Sequence, residues 1–270
     1  KLEVCQLRTK SIIQKQNTLK LNFFPMMDFD KLFASFNDIK VAVIGDVMLD
    51  TYWWGKVDRI SPEAPVPIVA VSKREERIGG AGNVALNVQA LGASVSVLSV
   101  VGNDNEADLL NALLKNNNIN TDYLIKSADR ITTNKIRIIG RNQQMMRLDA
   151  EITNPLSAAD ELALLTSFEK YIINESPSIV ILEDYNKGVL SETIIERIIS
   201  LCKANDILTA VDPKRKNFFA YWQADIFKPN LHEAKEGLNL LSDEVTQVAL
   251  QGIHRALYEK LHHKISLITL

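Results

Sequence analysis

From Ser157 onward the chain repeats one alternation. Short apolar and β-branched runs, Ile179 to Leu182, Ile207 to Val211 and Asp225 to Phe227, alternate with helical patterns over 157–174, 191–203, around 230–237 and 242–260, and an apolar run over 265–270 follows. Strands separated by helices pair in parallel through right-handed crossovers that cover both faces of a sheet. This predicts an α/β fold with a mostly parallel sheet flanked by helices. In such a sheet a ligand binds beyond the carboxyl ends of the strands.

The first half adds two features to this plan. Ile39 to Ile44 reads as a first strand, ending in Gly45-Asp46 with Asp50 just beyond it. T-Y-W-W-G-K-V over 51–57, the proline-marked S-P-E-A-P-V-P over 61–67 and the short run Ile68 to Val71 are too aromatic and too proline-rich for a helix. With Lys135 to Ile139 and Met145 to Leu148, they predict a small separate β-sheet lid built from strands within 51–72 and 121–149. The stretch from Arg77 to Gly92 lies between, where Gly79 and Gly80 lead into a helix that Gly92 closes. Glycines at a helix start admit close approach of an anionic or hydroxyl-rich ligand, and they also serve a tight turn feeding a core helix.

Composition narrows the choices. A chain of 270 residues with 46% hydrophobic residues fills a sizeable core, and a net charge of -2 sets up no field that recruits nucleic acid or an anionic membrane. No apolar run reaches the length of a membrane span. Cys5 and Cys202 lie far apart without metal-ligand partners, which fits a reduced, cytoplasmic setting. The four histidines, His232, His254, His262 and His263, show no ligand spacing and read as surface or loop residues. There is no Walker-type phosphate loop, no dinucleotide fingerprint and no nucleophile elbow. Residues 1–25 form a weakly patterned basic segment outside the fold, and 26–270 reads as an incomplete domain. The apolar run at 265–270 reads as a buried strand with nothing after it, hence as the edge of a fragment.

Three strand ends carry polar clusters: Glu183 to Gly188, Val211 to Lys214 and Lys228 to Glu233. Each alone reads equally as a capping carboxylate or a solvated lysine. Together, Lys187 and Lys214 would neutralise a phosphoryl group. Asn230 and Glu233, one helical turn apart, would hold a hydrated magnesium ion through water. In R-N-Q-Q-M-M-R-L-D, Arg141 and Arg147 form either a clamp on a substrate phosphate or an ordinary charged sheet edge.

These strings resemble the ribokinase-like, PfkB-type carbohydrate kinases. G-G-A-G-N-V-A-L-N-V-Q-A-L-G is similar to that family's first signature, and V-I-G-D-V-M-L-D to its opening strand. G-D-V-M-L-D-x-Y-W, R-I-S-P-E-A-P-V-P, R-N-Q-Q-x-x-R-L-D, D-Y-x-K-G and D-P-K resemble the heptose-phosphate kinase branch, whose kinase domain is often fused to a nucleotidyltransferase. The resemblance runs from about Val41 to Leu270. It implies transfer of the γ-phosphoryl group of ATP, with magnesium, to the anomeric hydroxyl of D-glycero-D-manno-heptose 7-phosphate. It assigns Asp50, Gly80 and Asn83 to the sugar, and Arg141, Asn142, Gln143 and Arg147 to its phosphate and the lid. Lys187 and Lys214 go to phosphates, and Asn230 and Glu233 to magnesium and ATP. The second family signature, D-x-x-G-A-G-D, carries the catalytic base and does not occur here, so these residues alone are expected to have little kinase activity. The rivals are a ribokinase-like kinase for another sugar phosphate or a nucleoside, and an inactive sugar-binding fragment. Apolar Trp53 and Trp54 in the lid point to a homodimer, or equally to a cover over the sugar.

Overall fold

The computed structural model describes residues 28–141, 143–240 and 245–270. The chain divides into two units, Lys1–Ser35 and Phe36–Leu270. In the first, the described residues form helix α1 (Phe29–Ser35); the expectation for residues 1–25 lies outside the described residues.

The second unit holds two sheets. The larger contains β1 (Lys40–Gly45), β4 (Ser94–Gly102), β5 (Leu124–Ser127), β8 (Ile179–Glu183), β9 (Leu208–Asp212), β10 (Ile226–Phe227) and β11 (Ile265–Ser266). Its seven strands run in the order β11-β10-β9-β8-β1-β4-β5, and every pairing is parallel. The smaller sheet contains β2 (Val47–Ile60), β3 (Pro67–Gly80), β6 (Asn134–Gly140) and β7 (Gln143–Ala150), in the order β3-β2-β6-β7. The β2–β6 pair is parallel and the other two are antiparallel.

β1 shows why the larger sheet forms. In K-V-A-V-I-G every residue from Val41 onward is buried, as a strand covered on both faces requires. Val41 and Val43 pack with Val95 and Val97 of β4, with Ala81 and Ala85 of α2 (Ala81–Ala90), and with Leu110 and Leu114 of α3 (Asn105–Asn116). Ala42 and Ile44 face the other way, against Leu164 and Phe168 of α4 (Ala158–Glu175) and Ile194 and Ile198 of α5 (Glu192–Ala204). Each such Leu, Ile or Phe contributes roughly 1.5–3 kcal/mol by leaving water. The helices start where the sequence supplies caps: Asp104, Ser157 and Ser191 each accept the backbone N–H three residues on. Two further helices, α6 (Leu231–Gly237) and α7 (Gln247–Leu261), follow β10.

Three expectations are corrected. Leu124–Ser127 pairs with β4 at the edge of the larger sheet, so not every strand within 121–149 belongs to the smaller one. Of the terminal run only Ile265 and Ser266 form a ladder, and among the described residues Ile265, Leu267 and Leu270 are 55%, 52% and 84% exposed, not buried. His263 is fully buried against Phe227, its Nε2 2.6 Å from Ser266 Oγ, and burial pushes its pKa down to about 4.

Candidate active site

The strand order reverses direction at β1. The chain moves from β1 to β4 on one side, while β8 lies on the other, and the gap above their carboxyl ends is where an open α/β sheet binds ligands. Asp46, the residue after β1, sits in that gap and is 1% exposed. Its carboxylate accepts the backbone N–H groups of Tyr185, Lys187 and Val189 at 2.7, 3.0 and 3.1 Å. Its backbone carbonyl accepts the Ala81 N–H at 3.0 Å, at the start of α2. One aspartate therefore ties the loop after β8 to the glycine turn. Burial pushes its pKa up against the lowering effect of those N–H groups.

Two glycines in that turn are there for space and conformation. A Cβ on Gly79 would lie 2.5 Å from Asp50 Oδ2. Gly80 has φ +58°, and a Cβ on it would meet the Asp46 carbonyl at 2.3 Å. Gly80 is the N-cap of α2, and no side chain caps that helix; Asn83, in its first turn, is exposed.

The charged residues at the ends of β9 and β10 are coupled to one another, while Lys187 after β8 pairs with the end of β7. Lys187 donates to Glu151 Oε1 at 2.8 Å, joining the end of β7 to the β8 loop. Lys214 bonds Glu233 Oε1 and lies 3.5 Å from Asp212 Oδ1. Burial lowers the Lys214 pKa, but Glu233 and Asp212 outweigh it and hold the lysine above its ordinary value. Lys228 donates to Asp212 Oδ2 at 2.7 Å. Asn230 and Glu233 form a capping box at the start of α6: Asn230 Oδ1 accepts the Glu233 N–H, and Glu233 Oε2 accepts the Asn230 N–H.

This arrangement limits how magnesium would be held. Both Glu233 oxygens already serve a lysine and a backbone N–H, and no group of three or more His, Cys, Asp or Glu among the described residues is placed to hold a metal ion. The donor set fits a hydrated ion reached through water, not a direct protein cage.

The smaller sheet brings its own polar face to the crevice. Directly paired residues share a face, so Asp50 and Tyr52 of β2 lie beside Arg77 and Glu75 of β3, Lys135 and Arg137 of β6, and Asp149 and Arg147 of β7. Tyr185, from the β8 loop, has its pKa raised by burial and then by Glu183 and Asp212, with Asp50 a further contributor. Arg137 Nη1 donates to Asp50 Oδ1 at 2.6 Å. Arg147 makes a two-point contact with Asp149 at 2.8 and 3.0 Å.

Arg141 is not beside Arg147. It lies at the β6–β7 turn with φ +50°, its Nη2 on the Val57 carbonyl at 3.0 Å, and Gln143 is next to it, paired with Gly140. Asn142 lies outside the described residues. Trp53 and Trp54 are half-buried, roofed by the cations of Arg74 and Lys73 at 4.9 and 4.6 Å.

The sequence reading passed over Asp46, Arg130 and Arg137. Arg137 had a signal, a charge alternating with isoleucines inside a strand. Arg130 had none, although its guanidinium binds the carbonyls of Ile152, Asn154 and Lys187 and so fixes the crossover to the β8 loop.

The sequence matches a family model described as pfkB family carbohydrate kinase over residues 38–261. The chain belongs to that family. Among curated relatives it is 44% identical over 200 residues to the bifunctional protein HldE of Methylobacillus flagellatus, covering 74% of this chain and 41% of that one. It is 41% identical over 231 residues to the protein of the same name from Helicobacter pylori, covering 86% and 49%. The chain thus spans less than half the length of these relatives. A solved structure, Arabidopsis thaliana ribokinase complexed with ribose and ATP, superimposes with a TM-score of 0.61 at 14% identity over 85% of this chain and 71% of that one, which establishes the fold as ribokinase-like.

Proposed function

We propose that this protein is an ATP-dependent sugar kinase that phosphorylates the anomeric hydroxyl of D-glycero-D-manno-heptose 7-phosphate, in the cytoplasm, as a step of ADP-heptose and lipopolysaccharide core synthesis. One observation carries the reading. Charged groups follow three consecutive parallel strand ends: Lys187 lies in the loop after β8, and Lys214 after β9 pairs with Glu233 after β10 and lies 5.8 Å from the ring of Tyr185 in that loop, the tyrosine whose pKa Asp50 of the smaller sheet also helps to raise. A site with lysines on one side and a sugar-orienting carboxylate on the other suits in-line phosphoryl transfer, which depends on positioning and charge neutralisation.

In this reading Asp50, with the Gly80 turn and Asn83, orients the sugar hydroxyls. Lys187 and Lys214 neutralise the transferring phosphate and the ATP tail. Magnesium, held through water by Asn230 and Glu233, would neutralise further phosphate charge. The sugar oxygen forms the new bond to the γ-phosphorus as the bond to the β-phosphate oxygen breaks. The hydroxyl proton goes to an aspartate that the resemblance assigns to the D-x-x-G-A-G-D signature, which these residues do not contain. The same reading has two copies of the chain joined through the smaller sheet.

The test is a ³¹P NMR assay of the full-length protein with magnesium-ATP and heptose 7-phosphate, compared with other sugar phosphates and nucleosides. Loss of the γ-phosphate signal with a new anomeric phosphate is expected, and Asp50→Ala should lower kcat/KM by at least about 100-fold. Turnover with a nucleoside in preference to the heptose phosphate would overturn the substrate assignment.

A further inference from the structure

We infer that Arg130 is a positioning residue for phosphoryl transfer: it acts not on substrate but by fixing the backbone of Lys187 against the root of the smaller sheet. The inference rests on the sugar-kinase reading, in which Lys187 neutralises a phosphate, and names the residue that keeps that lysine in place.

The first observation is that Lys187 is held at both of its peptide groups. Its N–H donates to Asp46 Oδ2 at 3.0 Å, and its carbonyl accepts from Arg130 Nη2. Two buried groups of opposite charge thus grip the two ends of one residue. A buried guanidinium is costly unless its donors are satisfied. No carboxylate lies within ion-pair distance of Arg130 among the described residues, and its hydrogen bonds there go to three backbone carbonyls. Donors aimed at carbonyls fix the course of the chain, which a surface ion pair does not.

The second observation is where the other two carbonyls lie. Arg130 Nη1 donates to Asn154 at 2.8 Å and Nη2 to Ile152 at 3.2 Å, both in the segment between β7 and α4. That segment starts at Glu151, the residue whose Oε1 takes Lys187 Nζ at 2.8 Å. Further along it, the Leu156 N–H donates to the Gly188 carbonyl at 3.2 Å. Arg130 therefore closes a circuit. It holds the backbone of Lys187 and, beside it, the backbone that carries the lysine's resting partner. The circuit sets how far the ammonium group stands from Glu151 and from a phosphate in the crevice.

Third is the anchorage of the arginine itself. It sits in the connection between β5 and β6, which is pinned two and three residues on. Thr132 gives its N–H and its hydroxyl to Asp104, each at 2.7 Å, and the Thr133 carbonyl accepts the Leu49 N–H at 2.9 Å. Arg130 thus references Lys187 to β2 and to the cap of α3. In-line transfer rewards that precision, since misplacing a charged group by about 1 Å costs on the order of 100-fold in rate.

The experiment is a double-mutant cycle on the full-length protein, with kcat and KM for heptose 7-phosphate and ATP measured for Arg130→Met, Arg130→Lys, Lys187→Ala and the combinations. Arg130→Met should lower kcat 10–100-fold with both KM values within threefold, and Arg130→Lys should recover part of the loss. In the Lys187→Ala background Arg130→Met should cost less than threefold more, because an arginine that works through Lys187 has nothing left to position. If Arg130→Met does not fold, Arg130→Lys carries the same cycle. A full 10–100-fold further loss without Lys187 would overturn the inference, as would a variant with a lowered unfolding midpoint and an unchanged kcat; either result makes Arg130 a tie of the fold alone. Turnover of another sugar phosphate with the same coupling would refute the heptose assignment and leave the inference standing. A wild-type protein that phosphorylates no sugar removes the kinase reading and this inference with it.

Discussion

Glu183 shares a register with Gly45 on one side and Asp212 on the other, so two carboxylates stand side by side at the carboxyl end of the sheet. It is 3% exposed and its Oε2 has no hydrogen-bond partner among the described residues. Burial, and then Asp212, push its pKa up to about 8. The folded protein therefore keeps this proton over a range in which the unfolded chain, with an ordinary carboxyl, has lost it. Stability from this group is full below about pH 4.5 and falls as pH rises toward 8. Glu183→Gln removes the titration. It should raise the unfolding midpoint at pH 9 by several degrees, equivalent to about 1–3 kcal/mol, and the gain should shrink toward pH 5. Thermal melts of both proteins across that range check this, and a gain independent of pH would contradict it. The sequence placed Glu183 at a strand end. It could not show the protonation, because that depends on which strand becomes the neighbour.

At the scale of elements, local pattern located most strands and helices to within a residue or two, since apolar periodicity and caps are written in neighbouring residues. What it missed depends on distant partners. β3 runs on to Gly80 because β2 pairs with it across both strands' length. Lys214 and Glu233 were each legible as strand-end groups, but their ion pair was not, because it spans 19 residues of chain. Asp46 is the strongest instance: a short polar residue after a strand that proves to hold three N–H groups of another loop. Asp46→Ala would leave those donors buried without an acceptor and should cost about 3 kcal/mol or more, whereas Asp46→Asn keeps one acceptor oxygen and should cost about half as much. Urea unfolding midpoints measure both. If the two variants fall within about 0.5 kcal/mol of the wild type, Asp46 is not the tie between these loops.

For the whole molecule, the smaller sheet raises a question of cover. One face carries Asp50, Arg137 and Arg147 toward the crevice. The other carries Trp53, Ile136, Ile138, Met146 and Leu148, and near its root it lies against Leu109 of α3. At β7 that face is open: Met146 and Leu148 are 54% and 43% exposed, Met145 is 44% exposed, and every residue of the strand is accessible. A sheet edge with an apolar flank invites pairing with another chain unless something blocks it. The proposed homodimer would cover this face without obstructing the arginines on the other. Sedimentation equilibrium at micromolar concentration should then give twice the chain mass. Met146→Glu combined with Leu148→Lys should shift the protein to monomer, by more than tenfold in dissociation constant, while the circular dichroism spectrum is retained. A wild-type protein that sediments as a monomer would remove this role from the sheet. A dimer that survives both substitutions would place the contact on another surface.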